Sequence, residues 1–138
     1  MLFGSRSLLS RTDRLKLAVI EDDEDVRAAL GRLLRSMGHD VCLFEAAEAF
    51  DADLPGLDCL ILDVRLPGQS GLEFEERVRG ESTPVPVVFI TGDMDVSVRE
   101  HTRVINHVAA PLLTKPFSDD ELMDAIERAM SNQARTRL

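Results

Sequence analysis

Residues 57–71 constrain this chain more than any other stretch. The run Cys59-Leu60-Ile61-Leu62 is apolar without interruption and stops at Asp63. Four consecutive apolar residues bounded by turn formers predict a strand buried on both faces. Pro67-Gly68 forces a turn just beyond it. Asp63 therefore stands at the carboxyl end of a central strand, the edge at which open α/β sheets bind ligands. Taken alone, such a carboxylate is a turn cap or a site of chemistry, and capping is the simpler reading.

The flanking sequence supplies the rest of a sheet. Residues 15–20 and 41–44 read as strands, and Val26, Leu30, Leu33, Leu34 and Met37 between them follow helical spacing up to Gly38. Short helical pieces are expected at 46–50 and 72–79. Residues 85–90 form a fourth strand, with Pro86 near its start, where a missing donor is tolerated. Val98, His101, Val104, Ile105 and Val108 make a moderate helical stripe, and residues 112–114 a brief fifth strand. Ser118 caps a last helix, with Glu121 completing a capping box and Leu122, Ala125, Ile126, Ala129 and Met130 on its inner face. Strands and helices alternate five times, which demands a parallel sheet with helices on both faces. The expected division is a flexible tail over 1–14, one domain over 15–131 and a short tail over 132–138. The first tail carries Arg6, Arg11 and Arg14 among serines, a weak likeness to a transit peptide.

Composition narrows the function classes. The 138 residues suffice for one core, and 44% hydrophobic content argues against disorder. A net charge of -9 counts against a nucleic-acid surface and suits a bound cation or a basic partner. Cys42 and Cys59 lie in apolar runs and read as buried, reduced thiols of a cytoplasmic protein. No apolar run approaches the ~20 residues of a membrane span. His39, His101 and His107 are scattered, read as solvated or partly packed, and receive no role.

The strand ends carry the chemistry. The first strand ends in Glu21-Asp22, the third in Asp63, the fourth in Thr91 and the fifth in Lys115. In a parallel sheet these fall on one edge. Two carboxylates about 5 Å apart repel by roughly 3 kcal/mol at an effective dielectric near 20, so one protonates or a cation enters. Oxygen ligands suit Mg²⁺, with Lys115 as the remaining counter-charge. The arrangement allows phosphoryl transfer to Asp63, with Thr91 and backbone amides bonding to the phosphoryl oxygens. The plainer alternative is that Glu21 and Asp22 only favour the N-terminus of the next helix through its dipole. Asp23, Glu24 and Asp25 read as that helix's cap and as solvated charge.

These motifs, Val19-Ile20-Glu21-Asp22-Asp23, Leu62-Asp63-Val64-Arg65-Leu66-Pro67-Gly68 with Gly71, Ile90-Thr91-Gly92 and Lys115-Pro116-Phe117, occur in order, each at a strand end. Together they resemble the receiver domain of two-component response regulators. The resemblance covers about residues 17–130. It implies a flavodoxin-like, doubly wound five-stranded parallel sheet of order 2-1-3-4-5. It implies Asp63 as phosphoacceptor, Asp22 as a direct Mg²⁺ ligand, Glu21 as a ligand mostly through water, and the Arg65 carbonyl in the metal shell. Thr91 would follow the phosphoryl group, and Lys115 would bind it, with a cis bond to Pro116. The implied partners are a sensor histidine kinase or histidine phosphotransfer protein and a downstream protein target, with room for a homodimer. Neither nucleic acid nor membrane is expected to be bound by this chain, and no enzyme activity beyond assisting its own phosphorylation and slow dephosphorylation.

The chain departs from the family pattern at several places. Leu112 stands where relatives usually have Tyr or Phe, so it brings no hydroxyl and less contact area to the coupling between Thr91 and the partner face. Pro111 rules out a regular helix running through it and predicts an irregular or displaced fourth helix. Arg65 and Asp93, each two residues past a site residue, are expected to modulate how water reaches the acyl phosphate. Two alternatives remain distinct in class. One is a pseudo-receiver that binds partners without phosphorylation. The other is a haloacid-dehalogenase phosphatase, which needs a second Asp where this chain has Arg65.

Overall fold

A computed structural model describes residues 14–46, 56–66, 69–70, 85–92 and 110–137. In chain order they form β1 (Lys16–Ile20), α1 (Glu24–Ser36), β2 (Asp40–Phe44), β3 (Cys59–Asp63), β4 (Arg65–Leu66), β5 (Gln69–Ser70), β6 (Val87–Thr91), β7 (Leu112–Thr114) and α2 (Asp119–Arg137). Five strands make one sheet of order β2-β1-β3-β6-β7, and every pairing in it is parallel. With the small β4–β5 hairpin set aside, this is the expected 2-1-3-4-5 order of a flavodoxin-like α/β fold. The helical pieces expected at 72–79 and 98–108, and all but Ala46 of the one expected at 46–50, lie outside the described residues, as does any irregularity ahead of Pro111. Helix α2 continues through residues 132–137, which the sequence reading assigns to a tail. No helix among the described residues is long and apolar enough to cross a membrane.

Alternation along each strand divides the core in two. Leu17, Val19, Cys59, Ile61, Val88 and Ile90 face α1 and α2, meeting Leu30 and Leu34 of the first helix and Leu122, Ala125, Ile126 and Ala129 of the second. Ala18, Ile20, Leu60, Leu62, Val87 and Phe89 form the opposite cluster, and half-buried Leu112 packs against it. Strands β3 and β6 are buried at every position, as a continuous apolar run requires. Burial pushes the Cys59 thiol up to about 12, so it is inert at neutral pH. Cys42 is only half-buried.

Local signals set the helix ends. Asp23 caps α1, its Oδ1 accepting from the Val26 N–H at 3.1 Å. At the other end Gly38 adopts φ +93°. The His39 N–H then reaches the Leu34 carbonyl at 3.2 Å and the Gly38 N–H the Arg35 carbonyl at 3.0 Å, the paired bonds of a Schellman stop. The capping box forms as expected. Ser118 N–H donates to Glu121 Oε1 at 2.8 Å and Glu121 N–H to Ser118 Oγ at 3.1 Å.

The amino-terminal edge of the sheet holds a correction. His39, expected to be solvated or partly packed, is buried at 4% exposure. Its Nδ1 accepts the Leu15 N–H at 3.1 Å, so the neutral ring carries its proton on Nε2. That atom is buried and has no hydrogen-bond partner among the described residues. Burial lowers the His39 pKa, and the nearby charges of Asp40 and Asp58 only partly oppose this. His101 and His107 lie outside the described residues.

Because the folded pKa is the lower one, the unfolded chain takes up the proton first. The contribution of His39 to stability is therefore complete above about pH 6.5, the unfolded value, and is lost progressively as pH falls below it toward the lower folded pKa. Urea unfolding at about pH 7.5 and about pH 5.5 measures it as the difference between wild type and His39→Gln, because the raised pKa values of Glu21 and Asp22 act in the opposite direction. Relative to that variant, which has no titrating ring, the wild type should lose stability at the lower pH.

Candidate functional site

Register alone brings the site together. Ile20 pairs with Leu62, so Glu21 and Asp63 are the next residues on adjacent strands. Asp63 pairs with Ile90, one residue before Thr91. Thr91 pairs with Thr114, one residue before Lys115, whose N–H donates to the Thr91 carbonyl at 2.8 Å. Four residues spread over most of the chain thus occupy one edge within about a residue's rise of each other.

The side chains converge as well. Glu21, Asp22 and Asp63 each place a carboxylate oxygen within 4.8 Å of the others. Glu21 is 1% exposed, Asp63 7% and Thr91 1%, while Asp22 is exposed. Lys115 Nζ lies 2.8 Å from Glu21 Oε1 and 3.7 Å from Asp63 Oδ2. The other Glu21 oxygen accepts the Asp23 N–H at 3.1 Å. Both oxygens of this buried carboxylate are therefore engaged by donors of the protein itself.

Electrostatics records the crowding. Burial and then contact with Asp63 raise the Glu21 pKa, against the opposing pull of Lys115. Burial raises that of Asp22, and Glu21 adds to it. For Lys115, burial alone would lower the pKa. Hydrogen bonding to Glu21 and the charges of Glu21, Asp63 and Asp23 outweigh it, and the net shift is upward. Among the described residues, the three acids outnumber the cations beside them, Lys115 and Arg27, and leave the cluster short of positive charge. An all-oxygen donor set with two buried members fits a hard divalent cation such as Mg²⁺.

The remaining expected residues are placed unevenly. The Lys115-Pro116 bond is cis, and Lys115 directly follows the end of β7. Leu112 is half-buried and pairs in register with Phe89. Arg65 begins the β4–β5 hairpin, but its side chain, like all of Asp93, lies outside what the structure describes. Sequence reasoning missed Arg27, whose Nη1 donates to the Glu21 carbonyl at 2.9 Å and the Asp22 carbonyl at 3.4 Å. An arginine on the first turns of α1 was the available signal. A groove of about 370 Å³ adjoins the site, lined by Val26, Ala29, Leu30 and Leu33 of α1 and by Pro116 and Phe117.

The family profile described as "Response regulator receiver domain" matches residues 17–127. The chain belongs to this family. Among curated relatives, the receiver is 38% identical over 121 residues to "Nodulation protein W" of Bradyrhizobium diazoefficiens, covering 86% of this chain and 52% of that one. It is 39% identical to "Transcriptional regulatory protein FixJ" of the same organism, covering 86% and 58%. The solved structure of full-length FixJ from B. japonicum superposes with a TM-score of 0.74 at 37% identity, covering 91% of this chain and 62% of that one. The chain spans little more than half the length of these curated relatives. Its domain is that of the two-component response regulators.

In the metal-free receiver, Asp63→Asn removes one negative charge from the crowded edge while Glu21 keeps its contact with Lys115. The loss of repulsion is expected to outweigh the loss of the longer Lys115 contact, stabilising the protein by about 1 kcal/mol. Urea unfolding in the presence of a chelator measures it. A less stable variant would show that the acids do not repel as argued.

Proposed function

We propose that this receiver accepts a phosphoryl group on Asp63, with Mg²⁺, from a histidine kinase or a histidine phosphotransfer protein. The observation that carries the reading is the gathering of Glu21, Asp22 and Asp63 within 4.8 Å, with the Lys115 ammonium 3.7 Å from Asp63. Output is through protein–protein contact, as a single-domain regulator or as the receiver part of a longer one. Residues 15–131 are the proposed domain, and the cytoplasm, where such kinases present their phosphohistidine, is the proposed location.

Each residue has a task that its position supports. An Asp63 carboxylate oxygen attacks phosphorus, forming an acyl phosphate as the donor's phosphorus–nitrogen bond breaks and the electron pair leaves with the imidazole. Asp22, Asp63 and the Arg65 carbonyl would hold the cation directly. Glu21, both of whose oxygens already accept protein hydrogen bonds, would act through water. When bound, Mg²⁺ supplies positive charge against the phosphoryl oxygens and offsets the repulsion of the acids. Lys115 reaches Asp63 and is placed to pair with the phosphoryl group as well. Thr91, at the adjoining strand end, offers the hydroxyl that follows that group. The apolar groove between α1 and residues 116–117 opens beside Lys115 and suits a helix of the phosphodonor.

Incubation with Mg²⁺ and acetyl phosphate should add the mass of one phosphoryl group, and Asp63→Asn or chelation should abolish the gain. Absence of any gain would favour the pseudo-receiver reading. Arg65 and Asp93 are proposed to shield the acyl phosphate from water. The double alanine variant should then lose its label faster than the wild type, and an unchanged lifetime would remove both from the mechanism.

A further inference from the structure

The loop from β1 to α1 is three residues long, Glu21 to Asp23, and it carries two of the three clustered acids. Glu21 is oriented by Lys115 and by the Asp23 N–H. Asp22 is exposed, so packing does not set its direction. The half-buried Arg27 addresses this by a less direct route. Its Nη1 donates to the carbonyl of Glu21 at 2.9 Å and, more loosely, to that of Asp22 at 3.4 Å.

Those two carbonyls belong to the peptide planes on either side of the Asp22 Cα. Holding the first plane and restraining the second narrows φ and ψ at Asp22, and with them the direction in which its side chain leaves the backbone. The helix that carries Arg27 is itself anchored at this end, since the Arg27 N–H donates to the Asp23 carbonyl at 2.9 Å and Asp23 caps the first turn. The guanidinium therefore works from a fixed base.

We propose that Arg27 is a positioning residue for the divalent-cation site, setting the backbone of Asp22 so that its carboxylate joins those of Glu21 and Asp63. The inference rests on the Mg²⁺ reading above and adds to it a residue that does not touch the cation. Charge and position make opposite demands here. As a nearby cation, Arg27 disfavours a bound divalent ion, so its removal would tighten binding. As a positioning group it favours binding, so its removal weakens it.

Mg²⁺ titration of the metal-free full chain, followed by amide chemical shifts, separates the two. Arg27→Ala is expected to bind Mg²⁺ at least about tenfold more weakly, the usual cost of losing a group that orients a ligand. Arg27→Lys keeps the charge and one reaching donor and should recover part of the loss. Equal or tighter binding by Arg27→Ala would overturn the proposal. Should that variant fail to fold, wild-type affinity in Arg27→Lys would overturn the bridging role instead. If the wild type itself bound no Mg²⁺, the metal reading would fail and carry this inference with it. Wild-type binding undiminished in the variants would remove the inference alone.

Discussion

A carboxylate at 1% exposure needs a compensating partner, and that of Glu21 arrives from 94 residues away. An unpaired buried charge costs several kcal/mol, more than one domain of this size can set aside lightly. Lys115 meets the need at 2.8 Å only because the register of four parallel strands delivers the end of β7 beside the end of β1. The ion pair thus makes the site conditional on the whole sheet. A slip of one residue in any pairing would turn Asp63 or Thr91 to the opposite face and leave Glu21 without its ammonium.

The two edges of the sheet handle polarity differently. At the amino-terminal edge the groups largely satisfy one another. Arg14 grips Asp40 through two bonds of 2.7 and 3.1 Å, Asp58 accepts the Lys16 N–H at 2.8 Å, and the His39 ring accepts that of Leu15. At the carboxyl edge Glu21, Asp22 and Asp63 crowd together beside the Lys115 ammonium, and burial raises the pKa of Glu21 and Asp22. Pairing is nearly complete at one edge, where the buried His39 Nε2 is the exception, and like charges crowd together at the other. Such crowding is tolerable where a ligand relieves it, which is the physical reason for placing function at the second edge.

Much of this was legible in the chain because it depends on local signals. The apolar run before Asp63, the Ser118–Glu121 box, the Gly38 stop and the acids at strand ends each act within a few residues of themselves. Parallel alternation then leaves one edge for all the strand ends. What the sequence did not disclose depends on reach. The burial of His39 follows from the Leu15 N–H, which is close only once β1 and β2 have paired. The strand order places Lys115 at the edge, but its 2.8 Å contact with Glu21, shorter than its 3.7 Å approach to Asp63, is set by the folded geometry. Long side chains choose partners in three dimensions, and periodicity says only which face they leave from.

Arg27 belongs to the same class of hidden feature, and it bears on how a charged cluster can be both unstable and ordered. Repulsion alone would scatter three acids into solvent, and Asp22, being exposed, is free of any steric reason not to leave. The backbone, however, is not charged. Anchoring the carbonyls on either side of Asp22 constrains its carboxylate without neutralising it. A cluster held in this way keeps its demand for a cation while giving up its freedom to relax. Less ordering would then remain to be done on binding a divalent ion, and the affinity cost of that ordering would fall accordingly. On the other side of Asp63, the Lys115 N–H donates to the Thr91 carbonyl at 2.8 Å. On both sides the charged group is presented by a backbone tied down through hydrogen bonds to its neutral groups, so that field and geometry are set by separate parts of the chain.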